Sequence, residues 1–410
     1  MNNFLKEFKD RGYFYQCTNE KELSGLLNNK KIKAYIGFDC TAESLHVGSL
    51  LQIMCLKLLQ KHGHQPIVLL GGGTTRIGDP SGKDKTRTIL NESIIEKNIK
   101  NIEKILKKFL DTNNESIQPI FVNNYKWLKD LNYISFLRDI GKHFTLNKML
   151  SFDSVKLRLE REQSLSYMEF NYMILQAYDF LELNKNENCD LQIGGSDQWG
   201  NIVNGVDLIK RHLNKQVFGL TTPLITLASG AKMGKTETGA VWLDNKFLSS
   251  YDYWQFWRNT DDRDVLKFIN MFTELEIEEI KKIEKKDINN LKIILANNAT
   301  ELLHGKEASQ NAETTAKKTF KENSTGDGLP SITIKKNKIL ENINIIDLVL
   351  LSKLESSKSE IRRLIRGNGI KINNTTVQDE KFIINKKNLI ENKFLKLSIG
   401  KKKHIKINFD

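Results

Sequence analysis

The chain has 410 residues, of which 39% are hydrophobic and 28% charged, as in a globular protein of two or three domains. No run of about 18 apolar residues is present, which excludes a membrane-spanning helix, and the mixed start Met1-Asn-Asn-Phe-Leu-Lys-Glu-Phe-Lys-Asp10 is not a signal peptide. Cys17, Cys40, Cys55 and Cys189 are scattered without a CxxC pair, which argues against a disulfide framework or zinc site and for a reducing cytoplasm.

The net charge of +13 is unevenly spread. Residues 331–410 hold 18 Lys/Arg against 8 Asp/Glu, a net +10, which leaves +3 for the first 330 residues. A basic block confined to one terminal segment suggests a polyanion partner, and its apolar content is too high for a disordered basic tail.

Residues 4–30 read as two short helices. Lys33 to Phe38 is a short apolar, aromatic-rich strand. From Val47 the apolar residues Leu50, Leu51, Met54 and Leu58 recur at helical spacing, and Gly63 and Pro66 close the helix. Ile67 to Leu70 is a continuous apolar run, as in a strand buried on both faces. Residues 33–71 therefore form a βαβ unit, whose ligand crevice lies at the carboxyl ends of its strands. Asp39, Thr41, His46 and Ser49 fall in that crevice, beside a helix N-terminus suited to anions. The same pattern also fits an ordinary crossover in which Thr41 and Ser44 are only caps.

The loop Gly71-Gly-Gly-Thr-Thr-Arg-Ile-Gly-Asp-Pro-Ser-Gly-Lys83 follows the second strand. It is neither a dinucleotide fingerprint, since Arg76 stands at the sixth position, nor a P-loop, since the glycine spacing is one short and Asp84 replaces Ser or Thr. Lys83, Lys85 and Arg87 are candidates for phosphate contact, or simple loop charges. A helix over 92–110, a strand over 118–122 and helices with mixed faces over 132–164 follow, the last a candidate oligomer surface.

Over 166–182 the pattern is a helix that is apolar nearly all round, so it is buried. Tyr172, Gln176 and Asp179 share one of its faces. Buried polar groups need partners, so this stripe marks either a cavity for a polar ligand or a satisfied core network. Leu191-Gln-Ile-Gly-Gly-Ser-Asp-Gln-Trp-Gly-Asn201 reads as strand, glycine turn and helix, with a further strand at 223–227. Lys232-Met-Gly-Lys-Thr236 sits in a loop between Gly230 and Gly239, a pattern that suits a polyphosphate clamp but is common in exposed loops.

Residues 249–322 are helical, and 322–331 form a polar Gly/Pro linker. Beyond it comes a helix at 345–354. A second helix opens at Ser357, with Glu360 completing a capping box, and carries Arg362, Arg363 and Arg366. Short strands follow at 370–372, 381–384, 394–399 and 404–409. Such a domain suits a structured RNA bound through shape and phosphates.

These segments together resemble the bacterial-type tyrosyl-tRNA synthetases, class I aminoacyl-tRNA synthetases, over essentially the whole chain. His46-Val-Gly-Ser49 stands in the place of the HIGH signature, and Lys232-Met-Gly-Lys-Thr236 in that of KMSKS. The Tyr172/Gln176/Asp179 face and Gln192-Ile-Gly-Gly-Ser-Asp-Gln198 separate the tyrosine enzymes from their tryptophan relatives. The resemblance implies an α/β fold: a Rossmann-like parallel-sheet catalytic domain at 1–244, an α-helical domain at 245–322, a linker at 323–331, and a small α+β RNA-binding domain at 332–410. The last resembles that of the fourth small-subunit ribosomal protein.

The resemblance also implies roles. Tyr35 and Asp179 would bond the phenolic hydroxyl of tyrosine; Asp79, Tyr172 and Gln176 its ammonium group; Gln198 its carboxylate. Gly195 and Asp197 would hold the ribose of ATP, with Asp39 and Gly48 beside the nucleotide. Thr41, His46, Lys83, Arg87, Lys232 and Lys235 would meet the polyphosphate. Departures are Ser49 for the second signature histidine, Gly234 and Thr236 for two serines, and Ile36 where several relatives place a ribose-bonding cysteine. ATP with Mg2+ is the implied substrate, with no tightly bound cofactor and no protein metal site. The implied partner is tRNA(Tyr), and the implied assembly a cytoplasmic homodimer. The competing readings are a tryptophan-specific synthetase, against which Asp179 and the basic C-terminal block speak, and a non-catalytic RNA-binding protein of the same fold.

Overall fold

The computed structural model describes residues 2–80, 90–236, 239–321, 329–335, 343–390, 393–400 and 403–410. Residues 1–244 and 261–286 form one compact unit, and 245–260 with 287–410 another.

In the first unit, helices α1 (Asn3–Asp10) and α2 (Glu20–Asn29) flank a two-residue strand, β1 (Gln16–Cys17). Each helix starts on an asparagine cap: Asn2 accepts from Phe4 N–H and Asn19 from Glu22 N–H. Next come β2 (Lys33–Phe38), a 3-10 turn at Val47–Ser49, α3 (Leu50–Lys61) and β3 (Gln65–Leu70). The helix stops before Gly63, whose φ of 76° ends the right-handed run. After α4 (Glu92–Phe109) and β4 (Ile120–Asn123), four short helices follow: α5 (Tyr125–Leu128), α6 (Tyr133–Asp139), α7 (Leu146–Ser151) and α8 (Asp153–Glu160). The unit continues with α9 (Tyr167–Glu187), β5 (Cys189–Gly195), α10 (Trp199–Leu213) and β6 (Phe218–Thr222).

The sheet order is β1-β6-β5-β2-β3-β4, parallel except for β1 on β6. Strand β2 is central: Tyr35 lies opposite Ile67 of β3 and opposite Gln192 of β5. The chain leaves β2 toward β3 and later returns on its other side as β5. That reversal opens a crevice at the carboxyl ends of β2 and β5.

Helix α9 begins with a capping box. Ser166 Oγ accepts from Glu169 N–H at 3.2 Å, and Glu169 Oε2 accepts from Ser166 N–H at 3.1 Å. Buried Glu169 also pairs with buried Arg158 at 3.2 Å. The helix ends at Asn188 in the left-handed region, φ 54°. Its residues Met173, Ala177, Phe180 and Leu181 pack with Ile67, Leu69 and Leu208 in one core cluster; full burial of such side chains is worth roughly 1.5–3 kcal/mol each.

Two strand expectations need correction, and one short strand was not expected. The strand expected at 223–227 is instead Phe218–Thr222, every residue of which is buried. Its glycine and threonines mask it in the sequence, while Pro223, lacking an N–H, ends it. Strand β1 is too short to show any periodicity. The expected strand at 381–384 supplies only an isolated bridge, Ile383 to Asn344.

In the second unit, helices Ser250–Arg258, Ile288–His304 and Lys306–Lys321 pack together. Residues 331–410 build a five-stranded sheet in the order Thr375–Thr376, Ile370–Ile372, Phe394–Ile399, Lys403–Phe409, Ser331–Ile334. Helices Ile345–Ser352 and Lys358–Arg366 cover it through Leu348, Val349, Ile361 and Ile365. Ser357 caps the second of these by accepting from Glu360 N–H. The reciprocal half of the expected box is replaced by an ion pair of Glu360 with Arg363 at 2.7 Å.

Candidate active site

A cavity opens at the carboxyl end of β2, lined among others by Tyr35, Asp39, Tyr172, Gln176, Asp179 and Gln198. Strand alternation sends Tyr35 into it, and the helical period brings the three α9 side chains to its wall. Asp179 is only 1% exposed. Its Oδ2 accepts from Asn124 Nδ2 at 2.9 Å and its Oδ1 from Trp127 Nε1 at 2.8 Å. Burial still outweighs both donors and pushes its carboxyl up to about 7. The Tyr35 ring packs against Phe180 at 5.3 Å between centroids, and among the described residues its buried hydroxyl has no hydrogen-bond partner. Burial, then the Asp179 charge, raises that phenol well above its ordinary value. The floor of the cavity thus combines a stranded hydroxyl with a buried carboxylate, and stranded buried polar groups are costly unless a ligand meets them.

The mouth of the cavity is acidic. Asp39 Oδ1 accepts from the hydroxyls of Tyr172 at 3.2 Å and Thr74 at 3.4 Å. Asp79 Oδ2 accepts from Gln198 Nε2 at 2.8 Å. Asn201 Nδ2 bridges Gln176 Oε1 and Gln198 Oε1, both at 3.0 Å, and so fixes the two amides relative to each other. Asp197 titrates higher than usual, from burial first and the charge of Asp79 second, with Lys232 opposing.

The two signature segments meet through residues 241–243, whose Val241 N–H donates to Gly234 O at 3.2 Å. Val47 N–H donates to Val241 O and Leu243 N–H to Leu45 O, both at 2.9 Å, making His46 and Trp242 an antiparallel pair. Their rings meet edge-on at 6.3 Å. His46 Nδ1 accepts from Gly48 N–H at 3.0 Å, which leaves the ring proton on Nε2 as a donor. Gly234 needs its identity: its φ is 112°, and a Cβ there would lie 2.6 Å from His46 Nδ1.

Comparison with known proteins agrees with this geometry. Residues 27–321 match the family of class I tRNA synthetases for tryptophan and tyrosine, and residues 321–407 match the SYY-like C-terminal domain of tyrosine–tRNA ligases. The tyrosine–tRNA ligase of Pelagibacter ubique is 75% identical over 407 residues, 99% of each chain. The chain belongs to the tyrosine–tRNA ligase family. The Rickettsia conorii tyrosine–tRNA ligase is 52% identical over 98% of both chains. Among solved structures, a C-terminally truncated mitochondrial tyrosyl-tRNA synthetase of Aspergillus nidulans superposes with a TM-score of 0.70 at 30% identity, covering 77% of this chain and 94% of that one. An Archaeoglobus fulgidus tyrosyl-tRNA synthetase complexed with L-tyrosine shares the fold at TM-score 0.56 and 18% identity, covering 76% of this chain and 99% of that one.

The other expected residues of this tyrosine–tRNA ligase family member are dispersed. Thr41 is exposed and His46, Gly48 and Ser49 half-buried along the turn into α3, while Gly195 ends β5 and Asp197 lies in the 3-10 turn after it. Ser49 N–H donates to His46 O at 2.8 Å, but the Ser49 side chain makes no cap hydrogen bond. Lys232 is exposed, its backbone bridged to Thr226. Lys235 pairs through its backbone with Ala240, and its side chain lies outside the described part. Lys83 and Arg87 lie outside the described residues. Arg362 and Arg366 both pair with Glu380, at 3.5 and 2.8 Å, and Arg363 with Glu360, so these arginines are held by neighbouring carboxylates on an exposed face.

The sequence patterns single out neither Asn124 nor Trp127, and include Thr74 and Asn201 only as members of longer segments. Trp127 and Asn124 carried a faint signal, as an indole and an amide just after a buried strand, but nothing tied them to a helix about 50 residues on.

Proposed function

We propose that the chain activates L-tyrosine with MgATP to tyrosyl-adenylate and pyrophosphate, then transfers tyrosine to the terminal adenosine of tRNA(Tyr). The observation that carries this reading is the paired floor of the cavity, Tyr35 hydroxyl and Asp179 carboxylate, which suits a phenolic hydroxyl. Asp79, Tyr172 and Gln176 would hold the ammonium, and Gln198 the carboxylate. An acidic mouth favours an ammonium by simple Coulomb attraction. Phenylalanine would leave the floor unpaired, which is the principle by which polar sites reject analogues lacking a hydroxyl; tyrosine-specific synthetases are themselves the standard example, at about 10⁵-fold.

The tyrosine carboxylate is already ionised and needs no base. Its attack on the α-phosphorus is helped by positioning and by stabilising the leaving polyphosphate. His46 Nε2–H, Thr41 and the loop cations Lys83, Arg87, Lys232 and Lys235 would supply that stabilisation, while Asp39, Gly48, Ser49, Gly195 and Asp197 would hold the nucleoside. The basic 332–410 domain, with Arg362, Arg363 and Arg366, would grip tRNA, as the helical 245–322 segment leads to it through the linker.

The same reading includes a cytoplasmic homodimer. Tyr133 and Leu137 of α6 and Tyr167 of α9 are exposed, with the two tyrosine hydroxyls 3.1 Å apart, and together offer an apolar surface suited to a second copy. Among the described residues no helix is long and apolar enough to cross a membrane.

Asp179→Asn tests the assignment. Tyrosine-dependent exchange should fall by at least about a hundredfold, since a buried charge-assisted hydrogen bond is lost, with the thermal transition retained. A folded variant with wild-type exchange would refute it.

A further inference from the structure

The buried stripe of α4 reads Ile95, Asn98, Ile102, Ile105, Leu106, Phe109. Asn98 occupies an aliphatic position in that pattern and is 1% exposed. Its Oδ1 has no hydrogen-bond partner among the described residues. A leucine would fill the position without stranding an acceptor. Its Nδ2 shows what the asparagine gains, for it donates to Cys40 O at 2.9 Å.

Cys40 joins Asp39 to Thr41. Its N–H is held by Thr75 Oγ1 at 2.8 Å. The two peptide planes between Asp39 and Thr41 are thus each fixed from outside the segment, one by Thr75 and the other by Asn98. Two residues further along the same turn, Glu43 pairs with Lys97, the neighbour of Asn98 on α4, at 2.8 Å. The Thr41 side chain is exposed at this turn, so its direction depends on the orientation of the peptide that precedes it.

We propose that Asn98 is a positioning residue for the activation step: while Thr75 holds the Asp39–Cys40 peptide, Asn98 locks the Cys40–Thr41 peptide so that the Thr41 hydroxyl faces the polyphosphate. The inference rests on the reading of Thr41 given above. A merely structural Asn98 would affect stability and leave the chemistry independent of Thr41.

The experiment is a double-mutant cycle on the full chain, read by pyrophosphate exchange and thermal melting. Asn98→Leu should fold, keep the KM for tyrosine within about twofold, and lower kcat about tenfold, as small misplacements of a reacting contact do. In a Thr41→Ala background the same change should cost less than about twofold. Thr75→Val, which removes the other hold on Cys40, should give the same pattern and decides the matter if Asn98→Leu does not fold. Wild-type kcat in a folded variant, or a loss undiminished in the Thr41→Ala background, overturns the inference. Wild-type rates in Thr41→Ala alone would remove the reading of Thr41 itself, and the inference with it.

Discussion

Trp127 donates its indole N–H to Asp179 Oδ1 at 2.8 Å, from a short helix 52 residues away in sequence. That bond, with the one from Asn124, opposes the burial that would otherwise keep the carboxyl protonated. Trp127→Phe removes one of the two donors and should move the Asp179 titration above its present midpoint of about 7. The kcat/KM for tyrosine, measured from pH 6 to 9, should then rise along a limb displaced to higher pH than in the parent. Superimposed limbs would show that Trp127 does not tune this acid.

The same titration bears on stability. The folded Asp179 carboxyl titrates at about 7, above the ordinary aspartate value of 3.8. The folded state therefore holds the proton more tightly. The stabilisation is complete below the unfolded value and is lost as pH rises through about 7; by pH 8 the loss amounts to about 4 kcal/mol. Asp179→Asn has no proton to lose, so its melting temperature should fall less between pH 5 and pH 8 than that of the parent. Equal falls would contradict the shifted titration.

Tyr35→Phe deletes a buried hydroxyl that has no partner among the described residues. Melting should be unchanged or slightly raised, because a stranded polar group disappears. The kcat/KM for tyrosine should drop about tenfold, and discrimination against phenylalanine should narrow with it. A loss of stability with unaltered discrimination would place the hydroxyl in the core rather than in the substrate site.

Gly234→Ala would combine a φ of 112° with a Cβ 2.6 Å from His46 Nδ1. Displacement of the imidazole should lower kcat for exchange at least about tenfold while tyrosine binding, followed by equilibrium dialysis, stays intact. Equal damage to tyrosine binding would mean that the loop supports the pocket and not the polyphosphate side.

Much of this site is legible in the sequence, and the limits have physical causes. Tyr172, Gln176 and Asp179 can be placed on one face because they lie on a single helix with a fixed period. Lys33–Phe38 and Ile67–Leu70 can be read as strands because each is a dense apolar run. Asn124, Trp127 and Asn201 act on residues of other elements, and no local period links them to their partners. The strand at Phe218–Thr222 is hidden because it is buried on all positions, threonines included, while 223–227 carries the apolar appearance of a strand yet makes only an isolated bridge, Thr226 to Lys232. Glu360 has the spacing of a capping box, but Arg363 competes for its carboxylate.

Replacing Arg362, Arg363 and Arg366 together by alanine should leave pyrophosphate exchange unchanged and raise the KM for tRNA in charging about tenfold at physiological salt. It should also flatten the dependence of log K on log salt by up to about three phosphate contacts. Unchanged charging would separate these arginines from RNA binding.

On the proposed reading, the cavity floored by Tyr35 and Asp179 selects tyrosine for adenylate formation. The most direct measurement is exchange of labelled pyrophosphate into ATP with each amino acid supplied in turn. Exchange dependent on tyrosine, with phenylalanine and tryptophan silent, is the predicted result. Exchange with tryptophan, or with no amino acid, would contradict it.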